Sequence, residues 1–197
     1  REGFKVDPHL TPQEMMIAAQ LDWTVSKRPG YTITTPEYGE DGMELMQTPS
    51  SFFIVRDTDN SILSHCGPKY LPVQNEKIFQ FFSDFTTAAQ MTMETAGSLR
   101  GGKSIWALAK LADTFELPGE DQIGGYLLLH QPHEAGHALT ARYTQIRVVC
   151  NNTLQLAFSN GKAHFSMSHI REFNADMAQQ AAETLGLAND TSKLFRE

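Results

Sequence analysis

Cysteine is scarce in this chain: Cys66 and Cys150 are the only two in 197 residues. Two thiols make neither a disulfide framework nor a zinc set, and they read as buried thiols in a reducing cytoplasm. Long hydrophobic runs are also missing. No stretch approaches the roughly eighteen apolar residues that a membrane helix needs, and no signal-peptide pattern opens the chain. Positive charge is in deficit, with 16 Lys and Arg against 23 Asp and Glu and a net charge of −7. That balance excludes a uniformly basic nucleic-acid coat, while leaving room for a local basic groove on an acidic body. There are no repeats and no low-complexity linker to divide the chain.

What is present is an ordinary globular composition, 41% hydrophobic and 20% charged, at a length that buries a real core. The expected organisation is an N-terminal helix segment over 1–20, a single α+β domain over 21–187 and a C-terminal tail over 188–197. The opening REGFKVDPHLTP carries no initiator methionine, as expected of a fragment of a longer protein.

Thr11-Pro12-Gln13-Glu14 reads as an N-cap with proline at the first helical position, starting a helix that runs through Leu21. WTVSKRP and YTITTPEY read as two short strands, with DGMELMQTPSS as a polar, turn-rich excursion. FFIVRDTDNSILSHCG predicts a hairpin, Phe52 to Arg56 and Ile62 to Cys66 around a turn over Asp57 to Asn60. Asn75 is placed to cap an amphipathic helix in which Ile78, Phe79, Phe82 and Phe85 recur at helical spacing. MTMETAGSLR and KSIWALAKL flank Gly101-Gly102, and GGYLLLHQP pairs with ALTARYTQIRVVC through HEAGH. NNTLQLAF begins a helix, AHFSMSH alternates as a short strand, and Ile170 to Leu187 form a last helix ended by Gly186. The fold class that results is α+β, an antiparallel sheet built from hairpins with packed helices.

Two stretches carry textual motifs. GSLRGGKS, Gly97 to Ser104, satisfies GxxxxGK(S/T). A working phosphate loop follows a buried strand and opens a helix, so that backbone amides and the helix dipole cradle phosphate. QMTMETA before it alternates polar and apolar, and no downstream strand ends in a magnesium-binding acid. Gly-Gly is instead a favoured two-residue hairpin turn, which sets Arg100 opposite Lys103 at an exposed tip. HEAGH, His133 to His137, satisfies HExxH, in which two histidines share a helix face and Glu134 activates a metal-bound water. Pro132 and the strand-like YLLLHQ stand where that helix should be, and RYTQIRVV beyond is β-branched and alternating. The expectation is a polar hairpin loop with exposed histidines and no bound metal or cofactor. The enzyme alternative is a zinc-dependent hydrolase using His133, Glu134 and His137, with Glu172 or Asp176 as further candidate ligands.

YLPVQN (Tyr70 to Asn75), ETAGSLRGGKSIWALAKL (Glu94 to Leu111), YLLL (Tyr126 to Leu129) and RVVCNNTLQLA (Arg147 to Ala157) together resemble the domain-of-unknown-function family 932, the phage/plasmid-like proteins. The likeness runs from about Leu21 to Gly186. The family pattern does not require lysine at the Lys103 position or histidine at both His133 and His137. The resemblance implies a mobile-element context, in which single-strand annealing proteins commonly combine a twisted antiparallel sheet with helices and assemble as rings or filaments.

Annealing needs phosphate contacts from Lys and Arg and sequence-tolerant contacts to bases. The candidate DNA-binding residues are Arg100, Lys103 and Lys110 on the first hairpin and Arg142, Tyr143 and Arg147 on the second, followed by Asn151 and Asn152. At period two, Arg142, Thr144 and Ile146 share one strand face, so Arg142 and Arg147 line one groove only if a bulge or a strand end intervenes. Trp106 reads as core. The expectation is therefore a cytoplasmic, non-enzymatic homo-oligomer that binds single-stranded DNA and anneals it, with no membrane association. The remaining alternative is a host-interaction protein without catalysis.

Overall fold

The computed structural model describes residues 3–5, 7, 9–34, 44–111, 125–159 and 164–185. In chain order these form β1 (Gly3–Lys5), α1 (Pro12–Ala18), β2 (Val25–Thr34), β3 (Glu44–Arg56), β4 (Ile62–Cys66), α2 (Asn75–Ala88), β5 (Thr92–Leu99), β6 (Ser104–Lys110), β7 (Tyr126–Pro132), β8 (Ala138–Thr144), α3 (Asn151–Ser159), β9 (Phe165–Ser168) and α4 (Ala175–Thr184). The strands make a six-stranded sheet in the order β1-β5-β6-β7-β8-β9 and a three-stranded sheet, β2-β3-β4. All ladders are antiparallel. The class is α+β, as the hairpin pattern implies.

The large sheet is covered on both faces. Ile105, Ala107, Leu127, Leu129, Leu139 and Ala141 point into a core filled by Phe79, Phe82 and Phe85 of α2 and by residues of α1 and α4. Trp106, Leu108 and Leu128 point the other way, against Leu154 and Ala157 of α3. This explains SIWALAK, which reads equally as helix or strand: a strand buried on both sides loses its alternation and becomes a continuous apolar run. Trp106 is core, fully buried.

α1 begins where expected, with Thr11 and Glu14 closing a capping box. It ends at Ala18 rather than Leu21, because Gln20 adopts φ 58° and turns Leu21 inward. The two short strands expected before residue 40 are one, β2, with an irregularity between Pro29 and Tyr31. The expected excursion DGMELMQTPSS is largely the first half of β3, from Glu44. Pro49 is tolerated there because β4 pairs only with Phe52 to Val55, which leaves that edge open. Asn75 is not the cap of α2. Gln74 takes that place, and the Asn75 side chain is buried, donating to the carbonyls of Leu21 and Trp23. β8 stops at Thr144 instead of reaching Cys150. The chain leaves the sheet there, burying Val148 and bonding its carbonyl to the Thr95 hydroxyl at 3.1 Å. α4 starts at Ala175 behind an Asn174 cap, not at Ile170. Gly186 and the tail over 188–197 lie outside the described residues. Among the described residues, no helix is long and apolar enough to cross a membrane.

Candidate binding site at the meeting of two hairpin turns

β6 and β7 pair with Ser104 opposite Pro132, so the β5–β6 and β7–β8 turns lie side by side. GSLRGGKS and HEAGH, far apart in sequence, thus meet at one end of the large sheet. The His133 amide donates to the Lys103 carbonyl at 2.8 Å, and Arg100 ion-pairs with Glu134 at 2.5 Å. Leu99 and Ser104 form the last β5–β6 pair, so the connection is the four residues 100–103 rather than a two-residue Gly-Gly turn. Arg100, Gly101 and Gly102 have φ of 52°, 68° and 95° in succession. This left-handed run is a hairpin connection, and a strand rather than a helix follows it.

The tip of this turn is docked rather than free. Arg56 of β3 donates to the Gly101 carbonyl at 3.3 Å, and a Cβ on Gly102 would meet Arg56 Nη1 at 2.9 Å and the Trp23 ring at 3.2 Å. Ser64 of β4 accepts the Ala135 amide at 3.0 Å. The two turns are therefore the clasp between the large sheet and the small one.

His133 is fully buried, which corrects the expectation of exposed histidines in this loop. Both Asn75 amide hydrogens are engaged by carbonyls, so its Oδ1 accepts from His133 Nε2 at 2.9 Å. That fixes the neutral tautomer with a bare Nδ1, for which no partner is present among the described residues. Burial depresses the pKa of this imidazole to about 3. His137, by contrast, is exposed. The two histidines of HEAGH share no helix face. Glu134 is committed to Arg100, Glu172 lies 3.9 Å from Lys77, and Asp176 is in the first turn of α4. Among the described residues, no three His, Cys, Asp or Glu are grouped to hold a metal ion.

Beside the clasp lies a pocket of about 500 Å³, walled by Lys69 and Tyr70, the Ala135–Ala138 turn, and His169 with Ile170. Ser168 and Ile170 also line an adjoining hollow of about 420 Å³ between β9 and α4, which adds His164 and Arg171, and the two together make a groove. The buried rings of Tyr70 and His169 stack at 4.8 Å and 14°. Burial raises the Tyr70 phenol pKa and lowers that of His169. Among the described residues, the cationic side chains lining this groove are Lys69 and Arg171, the histidines His137, His164 and His169 join them, and no carboxylate lines it. In a chain of 23 acidic and 16 basic residues this is a marked segregation of charge. Among the described residues, neither Lys69 nor Arg171 is in an ion pair.

The residues named from sequence do not form one patch. Arg100 and Lys103 are at the clasp, and Arg100 is paired with Glu134. Lys110 is at the opposite end of β6, about 20 Å away at ~3.4 Å per residue. Arg147 is also at that end, bound to Glu94 at 2.8 Å. Arg142 stacks on Phe158 at 4.4 Å and donates to its carbonyl at 3.3 Å beneath α3. Tyr143 is buried, its hydroxyl donating to the Leu185 carbonyl at 2.6 Å. Because β8 ends at Thr144, strand alternation does not extend to Arg147. Asn151 and Asn152 open α3, and Asn152 is exposed. Lys69, His169 and Arg171 are not legible as site residues in the sequence, since no spacing connects Lys69 with a segment about 100 positions further on.

The family model described as "Domain of unknown function (DUF932)" matches residues 62–197, and the chain belongs to that family. No curated protein and no solved structure gives a match.

Proposed function

We propose that this protein binds single-stranded DNA along the groove beside β9 and, as a cytoplasmic oligomer serving a phage or plasmid, promotes strand annealing. The observation that carries this reading is the groove itself, where, among the described residues of an acid-rich chain, Lys69 and Arg171 are in no ion pair and no carboxylate contributes to the lining. Such a lining neutralises phosphates and concentrates a polyanion locally despite the net charge. Ile170, 63% exposed where the two hollows adjoin, offers an aliphatic surface for van der Waals contact with a base, though no aromatic platform. Arg100 reaches the neighbourhood through its ion pair with Glu134, the residue before the Ala135–Ala138 turn that forms one wall. The zinc-hydrolase alternative has less support, since the His133 Nε2 is occupied by Asn75 and His137 faces solvent elsewhere.

Fluorescence anisotropy with a labelled oligonucleotide tests the proposal. Lys69→Ala and Arg171→Ala should each weaken binding and lower the salt slope by about 0.7, the value for one lost phosphate contact on a single strand. Arg147→Ala, at the far end of the sheet, should leave the slope unchanged. Wild-type protein with no detectable oligonucleotide affinity at low salt would overturn the proposal.

A further inference from the structure

The pocket beside the clasp is lined mainly by small or apolar residues. Gly67 and Pro68 come from the loop after β4, Ala135, Gly136 and Ala138 from the turn before β8 and its first residue, and Ile170 from the chain after β9. A Cβ built on Gly67 or Gly136 would meet no atom within 4 Å, so missing side chains leave this volume open. Tyr70 and His169 also line the pocket, but both are buried and stacked on each other at 4.8 Å. The surface open to an occupant is therefore largely aliphatic. At about 500 Å³ the pocket lies within the ~300–1,000 Å³ of sites that hold a small organic molecule. It far exceeds the ~30 Å³ share of a single water.

Cations flank this apolar recess. Lys69 is in its wall, and Arg171 lines the adjoining hollow beyond the shared Ser168 and Ile170. An apolar recess between cations matches the alternation of base and phosphate along a single strand. Ser168 and His137, both exposed, add hydrogen-bonding groups to the recess. A hydroxyl and an imidazole can each donate or accept, so they suit the edge of more than one base. We propose that the pocket receives one unstacked nucleobase of the bound strand, while Lys69 and Arg171 hold neighbouring phosphates. The proposal rests on the DNA reading of this groove and deepens it, because it says how the groove selects its strand. Taking a base out of the stack costs least when the strand is already single, so the pocket favours single strands over duplex.

Gly67→Leu, with the bulkier Gly67→Trp as a second variant, tests it by filling the recess without changing any charge. Gly67 lies outside the left-handed region and its Cβ would meet nothing, so both variants should fold as wild type by circular dichroism. With an oligothymidylate carrying one 2-aminopurine, each variant should bind about tenfold more weakly. The salt slope should not change, since no phosphate contact is lost. Wild type should brighten the 2-aminopurine on binding, and the variants should not. In equilibrium dialysis at low salt, wild type should take up deoxyadenosine monophosphate and the variants should not, while deoxyribose 5-phosphate, which has no base, should bind none of them. A Gly67→Trp protein that binds the oligonucleotide and brightens 2-aminopurine as wild type does would overturn the base pocket and leave the DNA reading standing. Uptake of deoxyadenosine monophosphate by wild type alone, with no oligonucleotide affinity, would keep the pocket and refute the DNA reading. A wild type that binds neither probe overturns both, as does one that takes up only an acidic, apolar peptide.

Discussion

Lowering the pH from 8 to 5 should destabilise this fold through two histidines that do not touch solvent freely. Burial depresses the pKa of His130 and His133 to about 3 in the folded chain, whereas an unfolded histidine titrates near ~6.5. His130 is held by Ser104 Oγ at 2.6 Å and packed edge-on against Phe158, and His133 is held by Asn75. Both are neutral in the folded state, so between pH 6.5 and 3 the unfolded chain binds more protons. Stability is then complete above the unfolded value and falls as pH falls through this window. At pH 5 each histidine should have cost about 2 kcal/mol, or roughly 4 kcal/mol for the pair, out of a typical 5–15 kcal/mol. His169, also depressed by burial, acts in the same direction. The carboxylates of Asp57 and Asp59 are held below their usual range by Ser26 and Arg56 respectively, so their contribution disappears only at lower pH. The assay is urea unfolding at unit pH intervals. The midpoint should drop steeply between pH 7 and 5, and His133→Gln, though less stable throughout, should show about half the pH dependence. A midpoint unchanged across that interval would refute the assignment of both rings as buried and neutral.

Two further substitutions probe the frame around the site. Trp106→Ala removes a fully buried indole between β6 and α3 and should cost about 3–5 kcal/mol in chemical denaturation. A cost near zero would mean that the second core under α3 is not packed as described. Gly102→Ala places a methyl group against Arg56 and Trp23 at φ 95°. It should cost about 1–3 kcal/mol, and a neutral result by thermal unfolding would show that the clasp is loose.

Legibility from sequence followed local chemistry. The Thr11–Glu14 box, the turn over Asp57 to Asn60 and the β7–β8 hairpin each have a signal written within a few residues, and each is present. Exposure on both faces of the first half of β3 removes the burial alternation that marks a strand, so Glu44 to Ser51 reads as a loop. Asn75 has the residue type of a cap, but its amide is recruited by Leu21 and Trp23, more than 50 positions away. Ile170 and Phe173 mimic the start of a helical stripe, although one is exposed and the other packs into the core before α4 begins. The two textual motifs come together in space for reasons unrelated to their usual chemistry. Their turns are adjacent because β6 and β7 pair, which is a property of the sheet and not of either motif. The groove is least legible, being assembled from three segments whose contact depends on the whole topology.

That assembly sets an order in time. The Leu71 amide donates to the His169 carbonyl at 2.6 Å, closing a span of 98 residues, and His133 reaches Asn75 across 58. Such closures are entropically expensive and form late. During synthesis five of the six strands of the large sheet can be complete while Lys69 still faces open solvent, because Arg171 and the edge strand before it have yet to emerge. The cationic groove is therefore among the last surfaces the chain makes. A chain shortened before Ile170 would keep most of its core residues and have no groove.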